Sequence, residues 1–268
     1  MKADLHMHST VSDGSDTIAE LINSAKENSL DAIAITDHDT LSHLRQIPAN
    51  TVGIRVTGGV ELSAVHRETG IKAHVLGYRI EKPEIVMSLT TPMLEARNRR
   101  SEEQAEILTE AGFEIDLTQI QRADGKYLYK QQIMDWLYKT GQVSELFGSF
   151  YKATFKNGGI CDFDIEYIDV FDAVRAIKES DGLAVLAHAG QQQNFWLIPE
   201  LVALGLDGLE LNHYSNSAED KKILRDLADR YGLFLTGGSD YHGRFGRESF
   251  GVGDILSEES GVKEVLVL

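Results

Sequence analysis

His6 and His8 stand one residue apart in the segment Asp4-Leu5-His6-Met7-His8. In a strand, where side chains alternate, both imidazoles project from one face while Leu5 and Met7 project from the other. Two imidazoles side by side can chelate a divalent cation, although such a pair alone is as readily a polar strand end. Its company gives it weight. Asp13 lies in the turn Val11-Ser12-Asp13-Gly14, and His38 in Thr36-Asp37-His38-Asp39-Thr40. Glu61 lies in Gly58-Gly59-Val60-Glu61-Leu62, and His74 in the apolar run Ala73-His74-Val75-Leu76-Gly77. His188 ends Leu183-Ala184-Val185-Leu186-Ala187-His188, and Asp240 and His242 sit in Gly238-Ser239-Asp240-Tyr241-His242-Gly243.

Each of these residues has an ordinary reading by itself. Asp13 fits turn chemistry. His38 fits a helix-capping region, with Asp37 or Asp39 as the cap. Glu61 fits a solvated strand end, and His74 a hydrogen-bonded core group. Together they hold six of the chain's nine histidines, and a metal site accounts for all of them at once. Nitrogen and carboxylate donors without thiolate suit Mn²⁺, Fe²⁺ or Zn²⁺. Nine ligands exceed the needs of one ion. Two or three divalent ions are expected, Mn²⁺ first, with Fe²⁺ or Zn²⁺ as alternatives.

Such residues need a scaffold. Strands are expected near 2–8, 31–36, 53–62, 71–78, 183–188, 205–211 and 233–237. Helices fit between them: one capped by Ser15 or Asp16 and running to about residue 28, with Ile18, Leu21, Ile22 and Ala25 on one face, then 169–179, 196–204 and 218–231. This alternation predicts an α/β fold of parallel βα units. In a parallel barrel the C-terminal strand ends meet at one rim, where active sites sit. The rhythm stops between residues 92 and 163, where helices are expected over 93–112 and 129–140. This stretch reads as a helical insertion between barrel segments 1–91 and 164–268.

The chain of 268 residues suffices for one barrel plus an insertion. A net charge of −16 disfavours broad binding to nucleic acid or anionic membranes, while leaving short RNA open. No apolar run approaches the roughly 20 residues that cross a bilayer. The first ten residues lack the apolar core of a secretory signal. Cys161 is the single cysteine, in keeping with a reducing compartment. A cytoplasmic location is expected.

The segments DLHMHS, DG, TDHDT, GVELS, HVLGY, AHAG and GGSDYHG, in this order, resemble the polymerase and histidinol phosphatase (PHP) family. The likeness is strongest to its small phosphoesterases: nucleoside 3′,5′-bisphosphate phosphatases, 5′–3′ exoribonucleases and a cyclic phosphodiesterase acting on ribose phosphates. The resemblance implies a distorted (β/α)7 barrel, a helical insertion and a trinuclear metal centre. It assigns His6, His8, Glu61 and Asp240 to a first ion. Glu61 bridges to a second ion completed by His74 and His188, and Asp13, His38 and His242 hold the third.

The chemistry this implies is attack on phosphorus by a hydroxide held between metals, with the third ion clamping a phosphate oxygen. His213, in Leu211-Asn212-His213-Tyr214, is a candidate for an auxiliary role. His43 and His66 are expected at surface positions. For the substrate, the resemblance favours Arg97, Lys130 and Lys152 as phosphate contacts. Arg244 and Arg247 follow the last metal motif and could reach the same pocket. Relatives acting on nucleotides carry an Arg-x-His pair where this chain has Lys130-Gln131-Gln132. Lysine keeps the charge but loses bidentate phosphate recognition. The leading expectation is therefore a phosphatase or phosphodiesterase of a small metabolite, including a ribose 1,2-cyclic phosphate. Bisphosphate phosphatase and exoribonuclease stand as alternatives. A C–N metallohydrolase or a non-catalytic metal-binding module ranks below them.

Overall fold

The computed structural model describes residues 1–246 and 250–267. Its strands are β1 (Ala3–Asp4), β2 (Ala32–Ile35), β3 (Arg55–His66), β4 (Ile71–Tyr78), β5 (Ile168–Asp169), β6 (Leu183–Leu186), β7 (Gly208–Asn212) and β8 (Phe234–Gly237). Its helices are α1 (Ile18–Glu27), α2 (Pro83–Glu110), α3 (Lys130–Lys139), α4 (Ser149–Phe155), α5 (Val170–Glu179), α6 (Ala189–Gln192), α7 (Ile198–Ala203), α8 (Ala218–Tyr231) and α9 (Glu259–Leu266). The sheet order β1-β2-β3-β4-β6-β7-β8 curls into a nearly closed seven-stranded barrel, with β5 added beside β3. The Leu5 amide donates to Gly237 O at 3.2 Å, and the Asp240 amide to His6 O at 2.8 Å, drawing the two ends together. A Cβ on Gly238 would come within 2.4 Å of His6, so only glycine allows this approach.

The expectation of uniformly parallel βα units is corrected here. β4 runs antiparallel to both β3 and β6. Residues 67–70 form a tight turn, with Gly70 at φ +70°, that leads straight from β3 into β4. So short a link makes a hairpin and leaves no room for a crossover helix. The reversal also explains His74, which lies in the first half of its strand yet reaches the same rim.

Alternation divides the layers. Val60 and Leu62 of β3 and Leu209 and Leu211 of β7 face outward, into a core shared with α5, α7 and α8. On β4, Leu76 and Tyr78 share the face of His74. They pack with Leu5, Ala34 and Val185, and with Val262 and Val265 of α9, to floor the barrel below the chemistry.

Two helix starts differ from expectation. α1 is capped by Thr17, whose side chain accepts from the Glu20 amide in a capping box. Ser15 and Asp16 are occupied instead: Ser15 Oγ accepts from the Arg244 amide, and Asp16 accepts from Tyr241 Oη. α2 starts at Pro83 rather than Met93 and continues past Pro92. Pro83 stands where a helix lacks an intrahelical N–H partner anyway, and burial of Val86, Thr90, Met93 and Leu94 holds the first half down despite Pro92. α2 to α4 also have their own core, built on Leu108, Leu128, Ile133, Leu137 and Phe155.

Candidate metal centre

Glu61 is the hub of the rim. β3 carries it inward, and its side chain is 1% exposed. Oε2 lies 3.1 Å from Nε2 of both His6 and His8, and 3.3 Å from Nε2 of His38. Oε1 lies 2.8 Å from His74 Nδ1 and 2.8 Å from His188 Nε2. Asp240 Oδ1 is 3.3 Å from His6 Nε2 and 3.1 Å from His8 Nε2. His242 Nε2 is 3.5 Å from Asp13 Oδ1.

Donor atoms within 4.8 Å of one another form three groups. The first is His6, His8, Glu61 and Asp240; the second is His8, Asp13, His38 and His242; the third is His38, Glu61 and His74. His188 adjoins the third through Glu61. All nine ligands suggested by the resemblance thus come together.

Whether these residues fit cations can be read from their unpaired atoms. His6 Nε2, His8 Nε2, Glu61 Oε2, Asp240 Oδ1 and Asp13 Oδ1 are buried without a hydrogen-bond partner. Buried polar atoms are ordinarily satisfied. Here they approach one another without hydrogen-bond geometry, as ligand atoms around a shared cation do, so the site fits divalent ions. Ring orientation agrees. His242 Nδ1–H donates to Asp240 O at 2.7 Å, and His188 Nδ1–H donates to Gln192 Oε1 at 3.0 Å, leaving each Nε2 for the centre.

Behind the candidate ligands stand four buried carboxylates: Asp4, Asp37, Asp39 and Glu210. Asp4 accepts from Ser239 Oγ at 2.6 Å and from the Ser239 amide at 3.0 Å, steadying the loop that carries Asp240. Asp37 accepts from Ser9 Oγ and Ser12 Oγ, each at 2.7 Å, steadying the loop that carries Asp13. Asp39 accepts from Ser63 Oγ at 2.9 Å and from Arg97 Nη2 at 2.9 Å. Glu210 contacts His6 Nδ1 at 2.9 Å. Asp37 and Asp39 are therefore not helix caps; the short 3-10 turn after them is capped by Leu41 without a side-chain bond.

The side chains of the centre strongly polarise one another. Burial opposes charge on His8, but Asp240 and Glu61 outweigh it and push its pKa up to about 10. Burial likewise opposes charge on His188, and Glu61 raises it to about 8. For His38 burial wins over Glu61 and Asp13, and the pKa falls to about 3. Burial lifts Asp4 to about 6.

Above the candidate ligands opens a cavity of ≈ 350 Å³, whose wall includes Lys72, Arg97, Lys130, Gln131, Lys156 and Tyr167.

The sequence profile of the PHP domain matches residues 4–184, more than half of the chain. The chain belongs to the PHP domain family. It is a metal-dependent phosphoesterase, a hydrolase. A phosphoribosyl 1,2-cyclic phosphate 1,2-diphosphodiesterase of Eggerthella lenta is 43% identical over 254 residues, 92% of this chain and 96% of that protein. A 5′–3′ exoribonuclease of Haemophilus influenzae is 29% identical, covering 90% of each chain. A 3′,5′-nucleoside bisphosphate phosphatase of Chromobacterium violaceum is 29% identical over 91% of this chain and 89% of its own length. A solved structure described as a metal-dependent phosphoesterase of Bifidobacterium adolescentis superposes with a TM-score of 0.88 at 28% identity, covering 99% of this chain and 95% of the other.

Within this PHP domain the candidate substrate residues divide. Arg97 and Lys130 line the metal cavity. Lys152 is exposed on α4 and is not among the described lining residues, whereas Lys72 and Lys156 are. Arg244 pairs with Asp135 at 2.7 Å and borders a separate cavity of ≈ 260 Å³. Arg247 lies outside the described residues. His213 is 1% exposed. Its Nδ1 accepts from the Ser215 amide at 3.2 Å, which leaves Nε2–H directed at Asp240 Oδ2, 3.4 Å away. That is the geometry of a support for Asp240.

His43 and His66 are corrected from surface positions. His43 is fully buried, with Nδ1 3.2 Å from Asp37. His66 is packed edge-on to Phe171 and Trp196. Sequence reading also passed over Glu210, Lys72 and Lys156. Glu210 did leave a signal: a lone acid between Leu209 and Leu211 in a strand must face a polar interior.

Among the described residues no helix is long and apolar enough to cross a membrane.

Proposed function

We propose that this chain hydrolyses phosphate esters of a small phosphorylated metabolite, with a sugar cyclic phosphate such as ribose 1,2-cyclic phosphate as first choice. The ring would be opened and the remaining monoester dephosphorylated. One observation carries the reading: three convergent ligand groups lie at the base of a ≈ 350 Å³ cavity walled by Lys72, Arg97, Lys130 and Lys156. That volume suits a small molecule. The 43% likeness to the Eggerthella lenta diphosphodiesterase supports the cyclic ester.

His6, His8, Glu61 and Asp240 would hold one ion, Glu61, His74 and His188 another, and Asp13, His38 and His242 a third. Mn²⁺ is the proposed metal, with Fe²⁺ or Zn²⁺ as alternatives. Such ions lower the pKa of water, neutralise phosphoryl charge and stabilise a leaving oxygen. The chain's own residues do the rest. Arg97, held against Asp39, and the lysines bind and orient the anion. Asp13, His38 and His242 act at the phosphate, and His213 steadies Asp240. The insertion over 92–163 supplies part of the pocket through Arg97, Lys130, Gln131 and Lys156.

A nucleoside 3′,5′-bisphosphate phosphatase or 5′–3′ exoribonuclease is the second reading, favoured by the 29% relatives. Against it, Gln132 accepts from the Tyr129 amide at 2.8 Å, capping its own helix away from the metal cavity. The test is phosphate release by Mn²⁺-loaded protein from ribose cyclic phosphates, nucleoside 3′,5′-bisphosphates, histidinol phosphate and short 5′-phosphorylated RNA. Release from RNA alone overturns the small-metabolite reading. A cytoplasmic location goes with this reading.

A further inference from the structure

Glu210 is fully buried in β7 between Leu209 and Leu211. A carboxylate removed from water is costly unless both oxygens are satisfied. Its two oxygens are each engaged with a residue of the metal centre. Oε1 lies 2.9 Å from His6 Nδ1. Oε2 accepts from the His188 backbone amide at 2.9 Å.

The first contact decides which nitrogen of His6 faces the centre. An ionised carboxylate only accepts, so Nδ1 carries the proton and Nε2 is left with its lone pair. That Nε2 is the unpaired atom beside Glu61 and Asp240. The second contact acts on backbone strain. His188 has φ +26° and ψ 52°, a conformation a non-glycine residue rarely adopts. It sits where β6 gives way to α6, and its amide is held at that angle by Glu210.

We propose that Glu210 is a positioning residue of the metal centre, fixing His6 as the Nδ1–H tautomer and pinning the strained His188 backbone, so that two ligands from different strands are set by one carboxylate. Asp4 and Asp37 hold loops through serines, and Asp39 holds Ser63 of β3 and Arg97; Glu210 touches a ligand ring itself. Such a partner orients the imidazole and raises its basicity.

A glutamine in its place cannot satisfy both contacts. If its oxygen takes the His6 proton, its NH₂ faces the His188 N–H. If it turns over, NH₂ faces His6 Nδ1 and favours the wrong tautomer. Glu210→Gln is therefore expected to weaken Mn²⁺ binding about 10- to 100-fold, measured by equilibrium dialysis of the full chain. Glu210→Asp, which keeps the charge, should recover part of that loss. Circular dichroism on each variant identifies any that fails to fold. Independently of any variant, long-range ¹H–¹⁵N spectra of the Zn²⁺-loaded wild type should show His6 protonated at Nδ1. An Nε2–H signal, or unchanged Mn²⁺ affinity in a folded Glu210→Gln, overturns the inference. The proposal rests on His6 being a ligand, and the two fail differently. If His6→Asn retains Mn²⁺ affinity, the ligand assignment fails. If His6→Asn loses affinity while Glu210→Gln does not, only the role of Glu210 fails.

Discussion

Gln131 Nε2 donates a 2.8 Å hydrogen bond to Asp13 Oδ2, joining α3 to a candidate ligand of the barrel rim. The other oxygen of Asp13 is left for the group formed with His8, His38 and His242. A helix outside the barrel thereby orients a carboxylate within it, and cavity wall and metal centre share one contact.

Removing that contact should be felt at the metals as well as at the substrate. A hydrogen bond to a charged group contributes about 1.5–3 kcal/mol. Gln131→Ala is expected to weaken ion binding at the group containing Asp13 roughly tenfold or more, at the low end of that range. Metal content after dialysis, compared with KM, checks this. A rise in KM with full metal content would show that Gln131 serves the substrate only.

Asp13→Asn keeps the shape and loses the charge. With charge stabilisation at the phosphate worth several kcal/mol, kcat should fall by at least about 10²-fold, while ions bound by His6, Glu61 and Asp240 persist. Metal counting beside turnover tests it. Full activity in Asp13→Asn would sink the need for a third ion.

The metal-free and metal-loaded proteins should respond to pH in opposite ways. The pKa values of His188 and His8 are raised from 6.5 to about 8 and about 10. Each therefore stabilises the metal-free fold fully below pH 6.5, and that contribution is lost as pH rises through the raised values. Metal binding needs the same imidazoles unprotonated, so affinity climbs over the same window. The gain in Tm on adding Mn²⁺ should widen between pH 6.5 and about 8, read by thermal unfolding with and without a chelator. A constant gain contradicts it.

Arg97, 18% exposed, pairs with the fully buried Asp39. Burial pushes the Asp39 carboxyl up and Arg97 pulls it back. Arg97→Ala strands that charge and should cost about 3–5 kcal/mol in urea unfolding. Adding Asp39→Asn should return part of the loss. If the double variant is no more stable than Arg97→Ala, the penalty arises from lost packing on Tyr129 instead.

Much of the centre was legible because each candidate ligand lies within or follows a strand, and period two announces which side chains share a face. His6 and His8 needed only that rule. The β3–β4 reversal was hidden because both strands are apolar on one face whichever way they run; the turn at 67–70 carries the information in its length. β5 escaped because two residues make no pattern. The start of α2 escaped because propensity reads Pro92 as a break, whereas burial of the helix face outweighs one missing hydrogen bond.

By itself the sequence determined the donor types, their order along strands and hence a metal-dependent reaction at one rim, since those follow from side-chain chemistry and alternation. Tertiary structure alone decided which donors share a centre and which residues hold them. Glu210 meets His6 across 204 positions of chain, and Gln131 meets Asp13 across 118. Such contacts depend on how the barrel closes and where the insertion rests, and no local spacing encodes either.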